Sequence, residues 1–289
     1  MIREYIRLAY RTVLPLIYAR TNFKLFLNSS LADIDLRVQQ LASMTDYYSR
    51  FVRPIPIQAP FGDSMLVVAP HQDDETIGCG GALALQARSA RSAFVVILQD
   101  GADDHDNVGM TRQDLTALRN QESCRAAELL GIEPPRFLGH ANLRADARRV
   151  SKELREIILA RKTDAVFVPF MLDGHPDHRA ANYILAEALT GIDWKVRVFG
   201  YEVWGLCIPN VIVVIDSVME QKLTMLSFFE FANKAVDYVH STKGLNMYHA
   251  RMLGSGLCQY VERFFEIPAH EYIELVGRVH AAEESQINA

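Results

Sequence analysis

Features that would define a protein class at once are scarce or missing in this 289-residue chain. Its four cysteines, Cys79, Cys124, Cys207 and Cys258, lie far apart and form no Cys-x-x-Cys pair, which argues against a disulfide framework and against a thiolate zinc site. No apolar run approaches the about 20 residues of a membrane-spanning helix. The formal net charge is -5, so no general attraction to nucleic acid is expected. These absences favour a cytoplasmic enzyme with reduced, buried cysteines.

Residues 1–27 combine basic and apolar side chains. Against the single acid Glu4 stand five bases: Arg3, Arg7, Arg11, Arg20 and Lys24. The bases interrupt any apolar core that a signal peptide would need. A basic amphipathic helix can make peripheral membrane contact, but we favour a helix packed on the main domain or on a second subunit of a homo-oligomer, since interfacial helices are a minority. We therefore expect an N-terminal helical extension with a proline-rich linker over residues 1–60, and one domain over residues 61–289.

Beyond residue 61, apolar β-branched runs alternate with helical patterns. Strands are predicted over residues 65–69, 94–99, 165–170, 196–201, 211–215 and 260–266, and helices over residues 78–90, 111–130, 150–162 and 179–189. This alternation predicts an α/β protein with a Rossmann-like, mostly parallel sheet covered by helices on both faces. Ligands of such sheets bind outside the carboxyl ends of the strands. Polar motifs that follow strands are therefore the candidates for a functional site.

The first such motif is His71-Gln72-Asp73-Asp74-Glu75, directly after a predicted strand. His71 and Asp74 are three residues apart, so both can face one ion in a tight turn or a first helical turn. Two adjacent aspartates are costly to bury unless a cation neutralises them. One of them can bind the ion while the other accepts a proton from water. Acids are also common at helix N-termini, where they suit the dipole, so this motif alone does not establish a metal site.

The second motif is His175-Pro176-Asp177-His178, which follows another predicted strand and begins a predicted helix. Pro176 suits a first helical position. Both histidines could bind a metal, or one could bind it while the other acts as an acid. Asp177 could fix an imidazole tautomer, and Asp173 is another nearby carboxylate. Together the two motifs predict a divalent metal with an open coordination position, and so a hydrolase.

The pair of motifs resembles the LmbE-like (PIG-L) family of zinc-dependent de-N-acetylases. The family pattern is Ala-His-Pro-Asp-Asp-Glu followed in mid-chain by His-x-Asp-His, and this chain has Pro70-His-Gln-Asp-Asp-Glu75 and His175-Pro-Asp-His178. The weaker matches are Gly78-Cys-Gly-Gly81, Arg119-Asn-Gln-Glu122, Arg251-x-x-Gly254 and Glu262-Arg-Phe264. The resemblance covers about residues 64 to 268. Gln72 stands where the family usually has proline.

The resemblance implies one zinc ion per chain, with other divalent metals also compatible, and its implied ligands are His71, Asp74 and His178. It implies Asp73 as the general base and His175 as oxyanion stabiliser or general acid, oriented by Asp177. The implied reaction removes the acetyl group from an N-acetylated amino sugar, a small glycoside or saccharide precursor, and releases acetate and a free amine. The alternatives are an amidohydrolase for a non-sugar N-acyl compound and a non-catalytic sugar-binding protein on the same fold.

Six residues are candidates for substrate contact: Gln72, Asp103, Asp104, Arg112, Tyr201 and Trp204. The loop over residues 101–112 follows a predicted strand and should border the pocket, where its aspartates could bond sugar hydroxyls and Arg112 could meet a phosphate or carboxylate. Tyr201 and Trp204 could form a wall on which a sugar stacks. A solvated polar loop and aromatics of the core are the plain alternatives. Tyr238 and His249 are further candidates without a defined role.

Overall fold

The computed structural model describes residues 54–253, 256 and 258–287, with side chains as far as residue 282. The strands in this part are β1 (Ile55–Ile57), β2 (Ser64–Ala69), β3 (Ser92–Gln99), β4 (Arg136–His140), β5 (Ala165–Pro169), β6 (Arg197–Tyr201), β7 (Val211–Val214) and β8 (Val261–Pro268). The helices are α1 (Asp74–Arg88), α2 (Arg112–Leu130), α3 (Ala147–Arg161), α4 (Pro176–Leu189), α5 (Met219–Ser227), α6 (Glu230–Ala235), α7 (Tyr238–Met252) and α8 (Ala269–Ile287). The helical extension predicted for the N-terminal region falls outside the described residues.

The strands form one eight-stranded sheet with the order β1-β7-β8-β6-β5-β2-β3-β4. β8 runs antiparallel to both of its neighbours, and the other pairs are parallel. Every residue of β2 and of β5 is buried, as expected for parallel strands covered on both faces. The predicted α/β class with a mostly parallel sheet is therefore confirmed.

Alternate residues of β2 enter two separate hydrophobic cores. Leu66 and Val68 pack with the helices α3, α4 and α8, whereas Met65 and Val67 pack on the opposite face with α1. This division follows from the strand period of two, which sends neighbouring side chains to opposite faces. Helices thus cover both faces of the sheet, whereas loops follow the carboxyl ends of the strands.

Two strands lie where the sequence did not predict them. β1 lies in the segment predicted as a linker, where Ile55 to Ile57 pair with residues 211–213 of β7 at the edge of the sheet. An edge position tolerates the proline in this strand because one side of the strand needs no ladder hydrogen bond. β4 is the other edge strand, and it pairs with β3 with a register shift after Ile97. The sheet therefore begins before residue 61, and short edge strands escaped the pattern analysis.

The predicted start of helix α2 is confirmed, because the Thr111 hydroxyl accepts a hydrogen bond from the Asp114 N–H at 3.1 Å. Gly131 ends this helix in the left-handed conformation. None of the helices in the described ranges is both long and apolar enough to cross a membrane.

The position of β2 determines where a ligand can bind. The chain passes from β2 to β3 on one side, while β5 pairs with β2 on the other side. Such a reversal of strand order leaves a crevice at the carboxyl ends of the strands. The loops after β2 and β5 carry the two sequence motifs, so both motifs reach this crevice.

Candidate metal centre and cleft

The loop after β2 holds Asp73 in a strained backbone conformation. Its φ is 129°, a region that residues other than glycine rarely adopt. The Asp73 N–H donates to Glu75 Oε2 at 3.0 Å, and the Asp73 carbonyl accepts the N–H groups of Thr76 and Ile77, each at 2.9 Å. Helix α1 begins at Asp74, four residues earlier than predicted. The strain persists because these contacts hold the turn from several directions.

The loop after β5 ends on His175, which caps the N-terminus of α4. Its Nδ1 accepts the Asp177 N–H at 3.2 Å, and Pro176 occupies the first turn as predicted. Because Nδ1 is an acceptor, the neutral ring carries its proton on Nε2. Asp173, just upstream, accepts the His175 N–H at 2.9 Å. The other oxygen of Asp173 accepts the N–H groups of Trp204 and Gly205 at 2.9 and 3.0 Å.

Side chains of the two loops meet in a group that we call the histidine–aspartate cluster: His71, Asp74, Asp173 and His178. Asp74 Oδ2 lies 3.1 Å from His71 Nδ1 and 3.3 Å from His178 Nε2. Asp173 Oδ1 lies 3.0 Å from His178 Nδ1. A ring nitrogen of His175 also lies within 4.8 Å of a nitrogen from each of His71 and His178. Residues about a hundred positions apart in the sequence therefore share one centre.

The cluster favours positive charge strongly. Burial opposes protonation of His178, but the carboxylates of Asp74 and Asp173 raise its pKa to about 10. Burial likewise opposes protonation of His71, while Asp177 and Asp74 raise its pKa to about 9. Burial also opposes ionisation of Asp74, yet the two histidines hold its pKa well below its usual range. The carboxylates that raise these pKa values create a negative electrostatic potential, which also favours binding of a cation.

The residues present fit a metal ion. His178 is fully buried, and neither of its ring nitrogens makes a well-formed hydrogen bond to any described residue, although both lie close to a carboxylate. Two ligands that each bind zinc at about 2.0–2.1 Å with tetrahedral angles lie about 3.3 Å apart. The contacts of Asp74 with His71 and His178 have this spacing. Imidazole and carboxylate are donors that zinc accepts.

Asp73 lies beside the cluster and has a different environment. Burial raises the pKa of its carboxyl to about 7, although Arg119 opposes this shift. Arg119 Nη2 lies 3.4 Å from Asp73 Oδ2, and the same guanidinium donates to the carbonyls of Gln72 and Gly101 at 2.9 and 2.8 Å. Asp73 thus has the proton affinity of a general base working near neutral pH.

The two loops form the floor of a cleft of about 740 Å³. His71, Asp73, Asp74, His175 and Asp177 lie on its floor. Its walls come from the loop after β3, helix α2, the loop after β6 and the segment around α6. They include Asp103, Asp104, Val108, Arg119, Trp204, Phe231 and Tyr238. The predicted substrate candidates Asp103, Asp104 and Trp204 therefore border the cleft.

Three predicted substrate residues, Gln72, Arg112 and Tyr201, are not among the residues that line the cleft, and each makes other contacts. Gln72 is buried, and its amide donates to the Asp100 carbonyl at 3.1 Å and to Asn120 Oδ1 at 2.8 Å, so it braces the loop after β3. Arg112 donates to both oxygens of Asp100, at 2.6 and 2.8 Å, which occupies its guanidinium. Tyr201 belongs to the core.

Tyr201 lies in the core because helix α1 approaches β6 closely. Its ring packs on Gly78, where an added Cβ would lie 2.0 Å from the ring, and its hydroxyl donates to the Val68 carbonyl at 3.0 Å. Glycine at position 78 is what permits this close approach. The aromatic side chain that does reach the cleft after β6 is Trp204, which is 61% exposed.

The predicted partner of His175 also differs. The Asp177 carboxylate lies 3.9 Å from His175 Nδ1 but 3.3 Å from His71 Nε2. The backbone N–H of Asp177, not its carboxylate, orients His175. Burial and the neighbouring His71 and His178 lower the pKa of His175, so its ring is neutral at neutral pH.

Sequence reasoning left three important residues without a role. Asp173 was noted only as a nearby carboxylate, and its contact with His178 now indicates a role in supporting that ring. Arg119 was noted as part of a weak family match, and its contact with Asp73 could not be inferred from spacing alone. Phe231 was missed because it lies in a short helix far from both motifs, and the Arg119 guanidinium lies over its ring at 5.3 Å. His249, a candidate without a role, binds the buried Glu202 at 2.7 Å.

Comparison with protein families agrees with this geometry. Residues 66–189, which include both motifs, match the family model described as PIG-L: GlcNAc-PI de-N-acetylase. Through this segment, which is less than half of the chain, the protein is similar to the PIG-L (LmbE-like) family. The description of this family model names an N-deacetylation activity.

Individual proteins extend this comparison. The diacetylchitobiose deacetylase of Thermococcus kodakarensis is 29% identical over 188 residues, which cover 58% of this chain and 70% of that protein. The fold is similar to that of N,N'-diacetylchitobiose deacetylase from Pyrococcus horikoshii, with a TM-score of 0.61, 21% identity, and coverage of 82% of this chain and 95% of that chain.

A third protein shows that the fold does not determine the reaction. The 4-carboxy-2-hydroxymuconate hydratase GalB from Pseudomonas putida has a TM-score of 0.60 at 20% identity, with coverage of 71% of this chain and 95% of that chain. The family match and the residues of the site must therefore support the function.

Proposed function

We propose that this protein is a zinc-dependent hydrolase that removes the acetyl group from an N-acetylated amino sugar within a small glycoside or saccharide precursor. The products are acetate and a free amine. The observation that carries the proposal is the convergence of His71, Asp74 and His178 beside the buried carboxyl of Asp73, at the floor of an open cleft.

His71, Asp74 and His178 would hold the metal, and Asp173 would keep the His178 ring in place through its Nδ1. Asp74 is preferred to His175 as the third ligand because Asp74 is 2% exposed and contacts both other ligands, whereas His175 is partly exposed in the cleft. When bound, zinc supplies Lewis acidity, which lowers the pKa of water and polarises a carbonyl.

Asp73 would act as the general base. With a pKa near 7, its carboxylate accepts a proton as water attacks the acetamide carbon, and it can return this proton to the leaving nitrogen. Transfer of that proton accompanies cleavage of the carbon–nitrogen bond, which leaves acetate and the amine. Arg119 holds the Asp73 side chain against the floor of the cleft.

His175 would stabilise the oxygen that becomes negative during the attack. Its neutral ring carries a proton on Nε2 because Nδ1 is occupied by the Asp177 N–H. A neutral donor of this kind resembles the oxyanion-hole groups of acyl-transfer enzymes, where the loss of one donor typically lowers the rate about 10²–10³-fold. Of the two roles that the resemblance implies for His175, the proposal therefore keeps that of oxyanion stabiliser.

Three observations support an amino-sugar substrate. The matching family is named for a de-N-acetylase of GlcNAc-PI, and the Thermococcus relative is named for diacetylchitobiose, so the names share N-acetylglucosamine and differ in what is attached to it. In this chain, the exposed Trp204 ring lies 6.5 Å from the His175 ring, at a place where a sugar ring can stack. The cleft volume lies within the range of sites for small organic ligands, so it accommodates a sugar with an attached group.

The test is a panel of N-acetylated compounds offered to zinc-loaded protein, with new primary amine and released acetate measured in parallel. N,N'-diacetylchitobiose and other N-acetylglucosaminides are expected to yield both products in equal amounts. Turnover of N-acetyl amino acids in their place would favour the non-sugar amidohydrolase. Zinc-loaded protein that binds these sugars without releasing acetate would contradict catalysis and favour a sugar-binding role.

A further inference from the structure

Helix α1, which begins with Asp74, is interrupted one turn after its start. Cys79 has φ -140° and ψ 22°, outside the helical region, although helix continues on both sides. A break of this kind deprives the carbonyls before it and the N–H groups after it of their helical partners. Because these groups are buried, other hydrogen-bonding partners must replace the missing ones.

Two charged side chains from distant elements satisfy the break. Glu262 of β8 accepts the N–H groups of Gly81 and Ala82, one with each carboxylate oxygen, at 2.7 Å. Lys222 of α5 donates to the Ile77 carbonyl at 2.9 Å and to Glu262 Oε1 at 2.6 Å.

A third side chain, Asn246 of α7, accepts from Lys222 at 3.2 Å and donates to the Val261 carbonyl at 3.0 Å. We call Lys222, Asn246 and Glu262 the helix clamp. Lys222 is 0% exposed and Glu262 is 1% exposed, so their charges are fully removed from water.

Glycine lets the break approach the clamp. A Cβ on Gly81 would lie 2.9 Å from Glu262 Oε1 and 2.6 Å from Ile215 Cγ2. A larger residue there would push the carboxylate away from the N–H groups that it binds. The glycines of the Gly78-Cys-Gly-Gly81 motif therefore permit close packing, as they do where Gly78 meets Tyr201.

One residue, Ile77, connects the clamp to the backbone of Asp73. The Ile77 carbonyl accepts from Lys222, and the Ile77 N–H donates to the Asp73 carbonyl at 2.9 Å. Asp73 has the strained φ of 129°, and strain of this kind persists where surrounding contacts over-determine the backbone. The clamp holds the C-terminal side of the first turn of α1. It therefore opposes any change in the backbone conformation of Asp73 and of the adjacent Asp74.

We infer that Lys222 and Glu262 are positioning residues for the metal centre, a role that rests on the proposed function of Asp73 and Asp74. They hold the first turn of α1 so that Asp73 keeps its strained conformation and Asp74 keeps its contacts with His71 and His178. A buried ion pair is weak evidence for stability, since apolar residues of similar volume often replace such pairs without loss. The hydrogen bonds of this pair to backbone groups on both sides of the break instead indicate that it fixes the conformation of α1.

The experiment uses the full chain with both charges removed together, Lys222→Met with Glu262→Gln, so that no unpaired charge stays buried. Loss of groups that support metal ligands typically weakens metal binding 10–100-fold. We expect the zinc Kd, measured by chelator competition, to rise 10–100-fold, and kcat to fall more than KM changes. In the metal-free protein, hydrogen exchange at the amides of Thr76 and Ile77 is expected to accelerate.

The control is Ile158→Ala, a buried residue of α3 in the core on the other face of the sheet, which lowers Tm without touching α1. If the double variant loses Tm like the control but keeps its zinc Kd and Thr76 exchange rate within twofold of the parent, the positioning role is wrong. If the double variant does not fold, the zinc Kd and the Thr76 exchange rate of Glu262→Gln alone are compared with those of the parent in the same way. Zinc binding and exchange are measured without substrate, so failure of the deacetylase proposal is distinguished from failure of this one.

Discussion

Two buried groups of charged residues flank the first turn of α1, and they differ in how well their polar atoms are satisfied. In the helix clamp, Lys222 makes three hydrogen bonds, and both oxygens of Glu262 accept backbone N–H groups. In the histidine–aspartate cluster, the ring nitrogens of His178 lie near carboxylates without well-formed hydrogen bonds to described residues. The polar atoms of the clamp are therefore satisfied within the polypeptide, whereas those of the His178 ring are not.

This difference separates structural from functional burial of charge. Buried polar groups are almost always hydrogen-bonded in native proteins, so an exception calls for an explanation. The clamp follows the rule and fixes backbone. Within the cluster, His178 departs from this rule close to the cleft, as expected for a side chain that would bind an ion. Substitutions in the clamp and in the cluster should therefore have different effects on zinc binding, turnover and stability.

The largest effect is expected for Asp73→Asn, which removes the proposed base beside the cluster but leaves the proposed ligands. Turnover should fall about 10²–10⁴-fold, the usual contribution of general acid–base catalysis. Zinc should still bind with an unchanged Kd. Asp106→Asn, at a highly exposed loop position, removes a nearby charge as the control. Turnover of Asp73→Asn at the rate of the parent would remove Asp73 from the base role.

A smaller effect is expected for Asp173→Asn, which weakens the support of His178. The zinc Kd should rise about 10–100-fold, because loss of a carboxylate behind a ligating histidine typically has this effect. Asp146→Asn is the matched control, since Asp146 lies 3.1 Å from Nδ1 of the buried His140 outside the cleft. Equal zinc Kd values for the two variants would show that Asp173 does not support a metal ligand.

Trp204→Ala should separate the cleft wall from the cluster. The Trp204 N–H to Asp173 survives this change, so the zinc Kd should be unaffected, while KM for an amino-sugar substrate should rise about 2–10-fold through lost ring stacking. Leu206→Ala, on the same exposed loop, is the control. A changed zinc Kd with an unchanged KM would contradict this division of roles.

The smallest effect concerns stability without metal. A carboxyl whose pKa rises from 3.8 to about 7 on folding holds its proton more tightly in the native state, so the native state loses stability as pH rises across that window. Asp73→Asn removes this loss. The Tm of the metal-free variant relative to the parent should therefore be higher at pH 8 than at pH 5, on the order of several degrees.

The helix clamp supplies the contrast for this measurement. Glu262→Gln removes a charged acceptor that binds two backbone N–H groups, so it should lower Tm at both pH values. A pH-independent Tm difference for Asp73→Asn would show that the buried carboxyl of Asp73 is not destabilising.

The sequence predicted the central strands and helices because long, buried elements have clear periodicity. It missed β1 and β4, which are short strands at the two edges of the sheet. The region of the candidate metal centre was predictable because both motifs lie in loops after strands that end at the same edge of the sheet. The ligand assignment, made from the family resemblance, stays a prediction until an ion is bound.

The rest of the site depends on contacts between distant segments, which sequence spacing does not encode. The burial of Gln72 arises from its bonds to the loop after β3 and to α2, and the burial of Tyr201 arises from the close approach of Gly78. The clamp joins α5, α7 and β8 to α1. Lys222 and Asn246 belong to no sequence motif, and Glu262 belongs only to a weak family match. Asp177 was assigned to His175, two residues away in the sequence, although its carboxylate lies closer to His71 in space.

The walls and the floor of the cleft come from different parts of the chain. Floor residues follow β2 and β5, while much of the wall belongs to the loop after β3 and to the segment from α6 to the start of α7. Substitutions in the wall need not disturb the residues of the floor. A library confined to residues 104–108 and 231–238 is therefore expected to yield enzymes with new preferences for the group attached to the sugar, all of which still bind the ion as the parent does.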